Sequence, residues 1–192
     1  MTTILNASNL FLDDVHRLLH LEQRSNGSFT TLVSLEPLTE IEQQEVLQIR
    51  TDFWHYFSAG KVYEGLVKFI ALAPLMRLAG FYQYPIGIRL EESIADIDIE
   101  DEDTKITGRM DILAVNKALP KITGISFWIL VIEAKNSSVS ALEGLPQLLT
   151  YAYKSLEHQE SVWGLTTNGL NYWFVYLQQG NPPTYQLDLS EI

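Results

Sequence analysis

Three ionisable residues stand where charge is costly. Asp111 opens the apolar run Asp111-Ile112-Leu113-Ala114-Val115, and Glu133 and Lys135 close the run Leu130-Val131-Ile132-Glu133-Ala134-Lys135. Both runs read as buried strands, where an unpaired ion is strongly disfavoured unless it finds a partner or a metal. Glu133 and Lys135 are two apart, so a strand directs them to the same face. Asp111 follows a Gly108-Arg109-Met110 lead-in and can lie beside them. Two carboxylates and an ammonium at one sheet edge suit divalent-metal phosphoryl chemistry. Without chemistry, the same residues are a Glu133–Lys135 ion pair at a strand end and a turn aspartate.

The elements that must position these groups follow from periodicity and turn chemistry. A first helix is expected over 8–22, capped by Ser8 or Asn9, with Leu10, Val15, Leu18 and Leu19 as its apolar stripe. A short extended stretch follows from Phe29 to Leu35. Thr39 and Glu42 form a capping box for a helix over about 40–57. Another helix runs from about Lys61 to Ala79, where Pro74 should kink or split it and Gly80 should stop it. Strands are then expected over Phe81–Leu90, 95–100, Lys105–Val115 and Ser126–Ala134, with a loop from Asn116 to Gly124. The stretch 140–157 is helical, with Pro146 in its first turn. Val162–Thr166 and Tyr172–Leu177 turn at Asn168-Gly169, and Thr184–Leu189 is an edge strand. The expected fold is α+β: a mixed central sheet flanked by helices, within one domain over 1–192. Residues 1–57 form its helical N-terminal extension and 58–178 its core.

Asp111, the Glu133-Ala134-Lys135 triplet on a later apolar strand, and Gln147 with Tyr151 four apart on the next helix together resemble the PD-(D/E)xK nuclease superfamily. They are similar to its exonuclease-like and type I restriction-subunit branches, as is the Gly164-Leu165-Thr166-Thr167-Asn168-Gly169 turn. The resemblance covers roughly 60–178. It departs at the Pro of the motif, where Met110 stands. It implies a restriction-endonuclease-like α/β/α core and a Mg²⁺-dependent nuclease acting on DNA, with Mn²⁺ as a substitute. It implies Asp111, Glu133 and the backbone carbonyl of Ala134 as metal ligands and Lys135 near the attacking water or scissile phosphate. Glu64 would join from the first core helix, directly or through water, with Gly65 allowing close approach. Gln147 would orient a water or phosphate, backed by Tyr151. A homodimer, or a larger restriction, repair or defence assembly, is the implied setting.

Composition bounds these readings. Of 192 residues, 46% are hydrophobic and 19% charged, which is globular and not disordered. No apolar run approaches a membrane span and no secretory signal is visible, so no membrane partner is expected. The absence of cysteine excludes thiolate metal sites and fits a reducing cytoplasm. The net charge of −11 weighs against strong phosphate binding. The acid excess is local, however. Residues 91–103 hold eight acidic groups, and elsewhere 13 basic residues face 16 acidic ones. If that segment faces away from the site, the cleft still attracts phosphate.

Other signals are weaker. His16 and His20 have a zinc-compatible spacing but no evident third ligand. Asp96, Asp98 and Glu100 lack the glycine of a calcium loop and alternate like a wet strand face. Trp128, Trp163 and Trp173 read as core. Arg109 reads as a surface charge. Thr166, Thr167 and Asn168 end a strand near the site. Two other functions compete. One is a non-catalytic interaction or DNA-mimic module on the same fold, with 91–103 as its surface. The other is a two-carboxylate glycosidase, which Lys135 opposes by lowering the pKa of Glu133.

Overall fold

The runs at Asp111 and Glu133 become interior strands of a mixed seven-stranded sheet. The computed structural model describes residues 2–24, 36–94, 96–99, 102–119 and 127–191. In chain order the elements are β1 (Thr3–Asn6), α1 (Leu12–Leu19), β2 (Glu22–Gln23), α2 (Glu40–Ser58), α3 (Glu64–Val67), a π-helical stretch (Lys68–Leu72) and α4 (Ala73–Leu78). Then come β3 (Ile86–Ser93), β4 (Ile97–Ile99), β5 (Thr104–Thr107), β6 (Arg109–Asn116), β7 (Phe127–Ala134), α5 (Leu145–Ser155), β8 (Ser161–Thr167), β9 (Asn171–Gln178) and β10 (Thr184–Glu191). The large sheet has the order β2-β10-β9-β8-β7-β6-β3, and a small sheet has the order β1-β5-β4. β6 and β7 are antiparallel, with Ile112 opposite Ile132. β7 and β8 are parallel and joined through α5.

The chain is therefore a mixed α+β fold, as its pattern implies. Alternation along β6 and β7 sends side chains to two cores. Leu113 and Val131 pack with Val15 and Leu18 of α1 and Leu148 and Leu149 of α5. Ile112, Ala114, Leu130 and Ile132 pack on the other face with Leu72 and Met76. Burial on both faces explains why these strands read as continuous apolar runs. Phe53 of α2 is buried with Val67 and Ala71.

The Thr39–Glu42 capping box forms: Thr39 Oγ1 accepts from the Glu42 N–H and Glu42 Oε2 accepts from the Thr39 N–H. Pro74 does not split its helix. The helical run continues from Glu64 to Leu78, and the turn before Pro74 widens to π geometry, with the Ala73 N–H donating to the Lys68 carbonyl. A widened turn absorbs a proline that a regular α-helix would reject. The helix ends at Gly80, where Gly80 N–H donates to Arg77 and Phe81 N–H to Met76.

The expected strand from Lys105 breaks at Gly108, and its two halves serve different sheets. The strand expected from Phe81 begins only at Ile86, after the turn that ends α4. The first helix is shorter than expected and follows a 3₁₀ turn at Ala7–Asn9. The N-terminal segment also holds two strands beside its helices, and β2 pairs in parallel with β10. The stretch expected over Phe29–Leu35 lies outside the described residues, as does the end of the loop before β7.

Two glycines give opposite expectations. Gly169 turns β8 into β9 at φ 87°, and a Cβ there would lie 2.2 Å from Phe53 Cε2. Gly169→Ala should lower stability by about 1–3 kcal/mol. Gly65 lies in α3 with open space around it, so Gly65→Ala should raise stability by about 0.4–1 kcal/mol. Urea unfolding of both variants checks the pair; equal midpoints contradict this packing.

Candidate active site

At the end of the β6–β7 ladder the carboxylate of Asp111 is held from two sides. Its Oδ2 accepts from the Ala134 backbone N–H at 2.8 Å, and its Oδ1 accepts from Lys68 Nζ at 2.8 Å. The amide of the triplet's middle residue thus fixes the aspartate between strands. Asp111 is buried, and Glu133 is only 2% exposed.

Glu133 and Lys135 lie on one side of β7, as period two requires. Lys135 Nζ donates to Glu133 Oε1 at 2.9 Å and to Gln147 Oε1 at 3.0 Å. Gln147 Nε2 donates to the Tyr151 hydroxyl at 2.8 Å, and that hydroxyl also accepts from the Arg109 N–H at 3.2 Å. An ammonium can only donate, so the amide oxygen of Gln147 must face Lys135 and its NH₂ must face Tyr151. Helix spacing of four makes this reach possible. Gly144, in the 3₁₀ turn before α5, presses on the pair: a Cβ there would lie 3.1 Å from Glu133 Cγ and 3.3 Å from Lys135 Cε.

Charge behaves unlike the expectation for this pair. Burial raises the Glu133 pKa to about 8, helped by the nearby charge of Asp111, and Lys135 pulls it down without winning. Lys135 thus lowers the Glu133 pKa as expected, but burial outweighs it, and the objection to a raised-pKa carboxylate does not hold. Glu133 Oε2 is buried with no hydrogen-bond partner. Burial likewise raises the Tyr151 phenol to about 12, so it stays neutral.

Lys68 was not singled out by its position in an apolar helix. Its Nζ meets Asp111 at 2.8 Å, Glu64 at 3.0 Å and Glu91 at 3.4 Å. Burial opposes its charge, but the hydrogen bonds it donates to Asp111 and Glu64, with their negative charge, outweigh burial and raise its pKa. The i,i+4 spacing of Glu64 and Lys68 was the available signal. Glu91 adopts φ 54°, a left-handed conformation uncommon for a non-glycine residue, within β3. Its carboxylate bonds Lys68 and also Arg109, at 2.9 Å. The acidic segment thus does not lie wholly away from the site, and Arg109 is paired. A cleft of about 420 Å³ opens beside Asp111 and Lys68, walled by Phe69, Tyr82, Leu90 and Glu91. Gly65 also lines it, with open space where a Cβ would stand.

Glu64 reaches Lys68 rather than completing a carboxylate cluster. Among the described residues no three His, Cys, Asp or Glu side chains gather as a metal-ligand group. Thr166, Thr167 and Asn168 are spent on backbone: they donate to the carbonyls of Ala141, Asn171 and Val139. His16 bonds the Tyr185 hydroxyl at 2.9 Å. Asp96 and Asp98 face Lys105. Trp128 is core, while Trp163 is half-buried and packs on Tyr176. Among the described residues no helix is long and apolar enough to cross a membrane. No protein-family model matches the chain, and no curated protein matches it.

The raised Glu133 pKa has a stability consequence. The folded chain holds this proton over a range where the unfolded chain, near the ordinary 4.5, has lost it. Relative to Glu133→Gln, wild-type stability is full below about pH 4.5, falls as pH rises to about 8, and is level above. Urea unfolding across this range should show that slope, and a flat difference contradicts it.

Proposed function

We propose that this chain is a PD-(D/E)xK-type nuclease domain that hydrolyses DNA phosphodiesters with Mg²⁺. The observation that carries the reading is the shared ammonium: Lys135 binds Glu133 and Gln147 at once, beside Asp111 at the same sheet end. A stability role needs the Lys135–Glu133 contact alone, whereas the added amide and phenol fix the ammonium's direction.

The residues fit a divalent ion. Glu133 Oε2 is a buried oxygen without a donor, and a proton or a cation relieves it. Asp111 and Glu133 would hold the ion with the Ala134 carbonyl, and Glu64 would assist through water. Bound there, Mg²⁺ supplies Lewis-acid polarisation and neutralises phosphoryl charge. The chain's own groups do the rest. Lys135 has one N–H beyond those given to Glu133 and Gln147, and it donates that hydrogen bond to the nascent hydroxide or to a phosphoryl oxygen as negative charge develops. Gln147 and Tyr151 keep it aimed. The cleft beside Asp111 admits the phosphodiester. Water loses a proton to solvent as it adds to phosphorus in line, the P–O bond to the leaving sugar oxygen breaks, and that oxygen takes a proton back from solvent.

A second reading, a non-catalytic module, is favoured by one observation. Lys68 already bonds both Asp111 and Glu64, so these two carboxylates share a cation without any metal. The acidic stretch 91–103 would then meet a protein partner.

Labelled DNA incubated with Mg²⁺ or Mn²⁺ separates the two. Asp111→Asn and Lys135→Ala should each lower cleavage by at least about 100-fold, and equal cutting by all three proteins assigns the activity elsewhere. Because Glu133 holds a proton near neutrality, Mn²⁺ binding at pH 7 should release protons and tighten toward about pH 8. Calorimetry in buffers of different ionisation heats measures this, and a buffer-independent heat rules it out.

A further inference from the structure

Lys68 sits where a cation is wanted. Its ammonium lies within 3.0 Å of oxygens from both Asp111 and Glu64, and its side chain is only 22% exposed. It can leave by moving. The lysine stem has four flexible carbons, the 420 Å³ cleft adjoins it, and Glu91, 3.4 Å away and more exposed than Asp111, already shares the ammonium.

We propose that Lys68 is the resident counter-cation of this site, and that a divalent ion binds by displacing its ammonium from Asp111 and Glu64 toward Glu91. The inference deepens the proposed function and rests on its metal site. Physically it is a competition of two cations for the same oxygens. The ammonium keeps Asp111, Glu64 and Glu91 from repelling one another when no ion is bound. It also sets a threshold: the ion must outbid a held, partly desolvated lysine. Helix geometry supports the exchange. Lys68 begins the π-helical stretch, and its carbonyl accepts the Ala73 N–H across the widened turn, a local feature often found at functional sites.

Mn²⁺ binding to the full chain, followed by calorimetry and by the electron-spin signal of free Mn²⁺, tests this. Lys68→Met should bind Mn²⁺ about tenfold or more tightly than wild type, since a competitor is gone. Lys68→Arg keeps a cation and should not tighten. A merely structural lysine predicts the reverse, weaker binding in Lys68→Met. In the wild-type chain, the proton–nitrogen NMR signal of the Lys68 ammonium should shift as Mg²⁺ is added and saturate with the metal. That readout stands even if Lys68→Met does not fold. Unchanged or weaker binding in Lys68→Met, equal tightening in the Arg variant, or an unmoved ammonium signal overturns the proposal. If Asp111-dependent Mn²⁺ binding persists alongside any of these, the competition alone fails. If neither wild type nor Lys68→Met binds Mn²⁺, the metal reading fails with it.

Discussion

Buried carboxylate charge at the end of the β6–β7 ladder is the constraint around which this site is built. Asp111 is close enough to raise the cost of ionising Glu133, and both are buried. Removing one partner of a buried ion pair costs about 3–5 kcal/mol, so such charges persist only with compensation. The fold compensates in three ways. Lys68 and the Ala134 amide bind Asp111, Lys135 binds Glu133, and Glu133 takes up a proton more readily than an exposed glutamate does.

Each compensation is supplied by a different element, which explains the architecture. The crossover from β7 through α5 to β8 brings Gln147 and Tyr151 over the strand end. The helical run from Glu64 carries Lys68 from the opposite layer, whose Leu72 and Met76 pack on Ile112 and Ile132. β3 brings Glu91 in from the sheet edge. A shift of the π-widened turn that accommodates Pro74 would move Lys68 relative to Asp111. Backbone irregularities at Lys68–Leu72 and Glu91 therefore sit next to the charge cluster rather than at random.

Much of this was legible in the sequence because it depends on local spacing. The continuous apolar runs at 111–115 and 130–134 mark two buried strands, and the two-residue and four-residue intervals of Glu133–Lys135 and Gln147–Tyr151 set shared faces. The Thr39–Glu42 cap and the Asn168-Gly169 turn are local chemistry and appear where expected. Features that depend on distant partners were not legible. β1 and β2 are short strands made by pairing with β5 and β10. Gly108 divides one apolar pattern between two sheets, which no periodicity records. The low exposure that lifts Glu133 above its lysine-paired expectation is a property of the packed site. Only Glu64 among the three acidic partners of Lys68 is near it in sequence; Glu91 and Asp111 come from β3 and β6.

The central claim is that these carboxylates form a cation site held in waiting by a lysine. Crystals soaked in Mn²⁺ and measured at the manganese absorption edge address it most directly. The account predicts an anomalous peak against Asp111 and Glu133, with the Lys68 ammonium moved off Asp111. A map with no peak there, and Lys68 still bonded to Asp111 at full Mn²⁺ concentration, contradicts it.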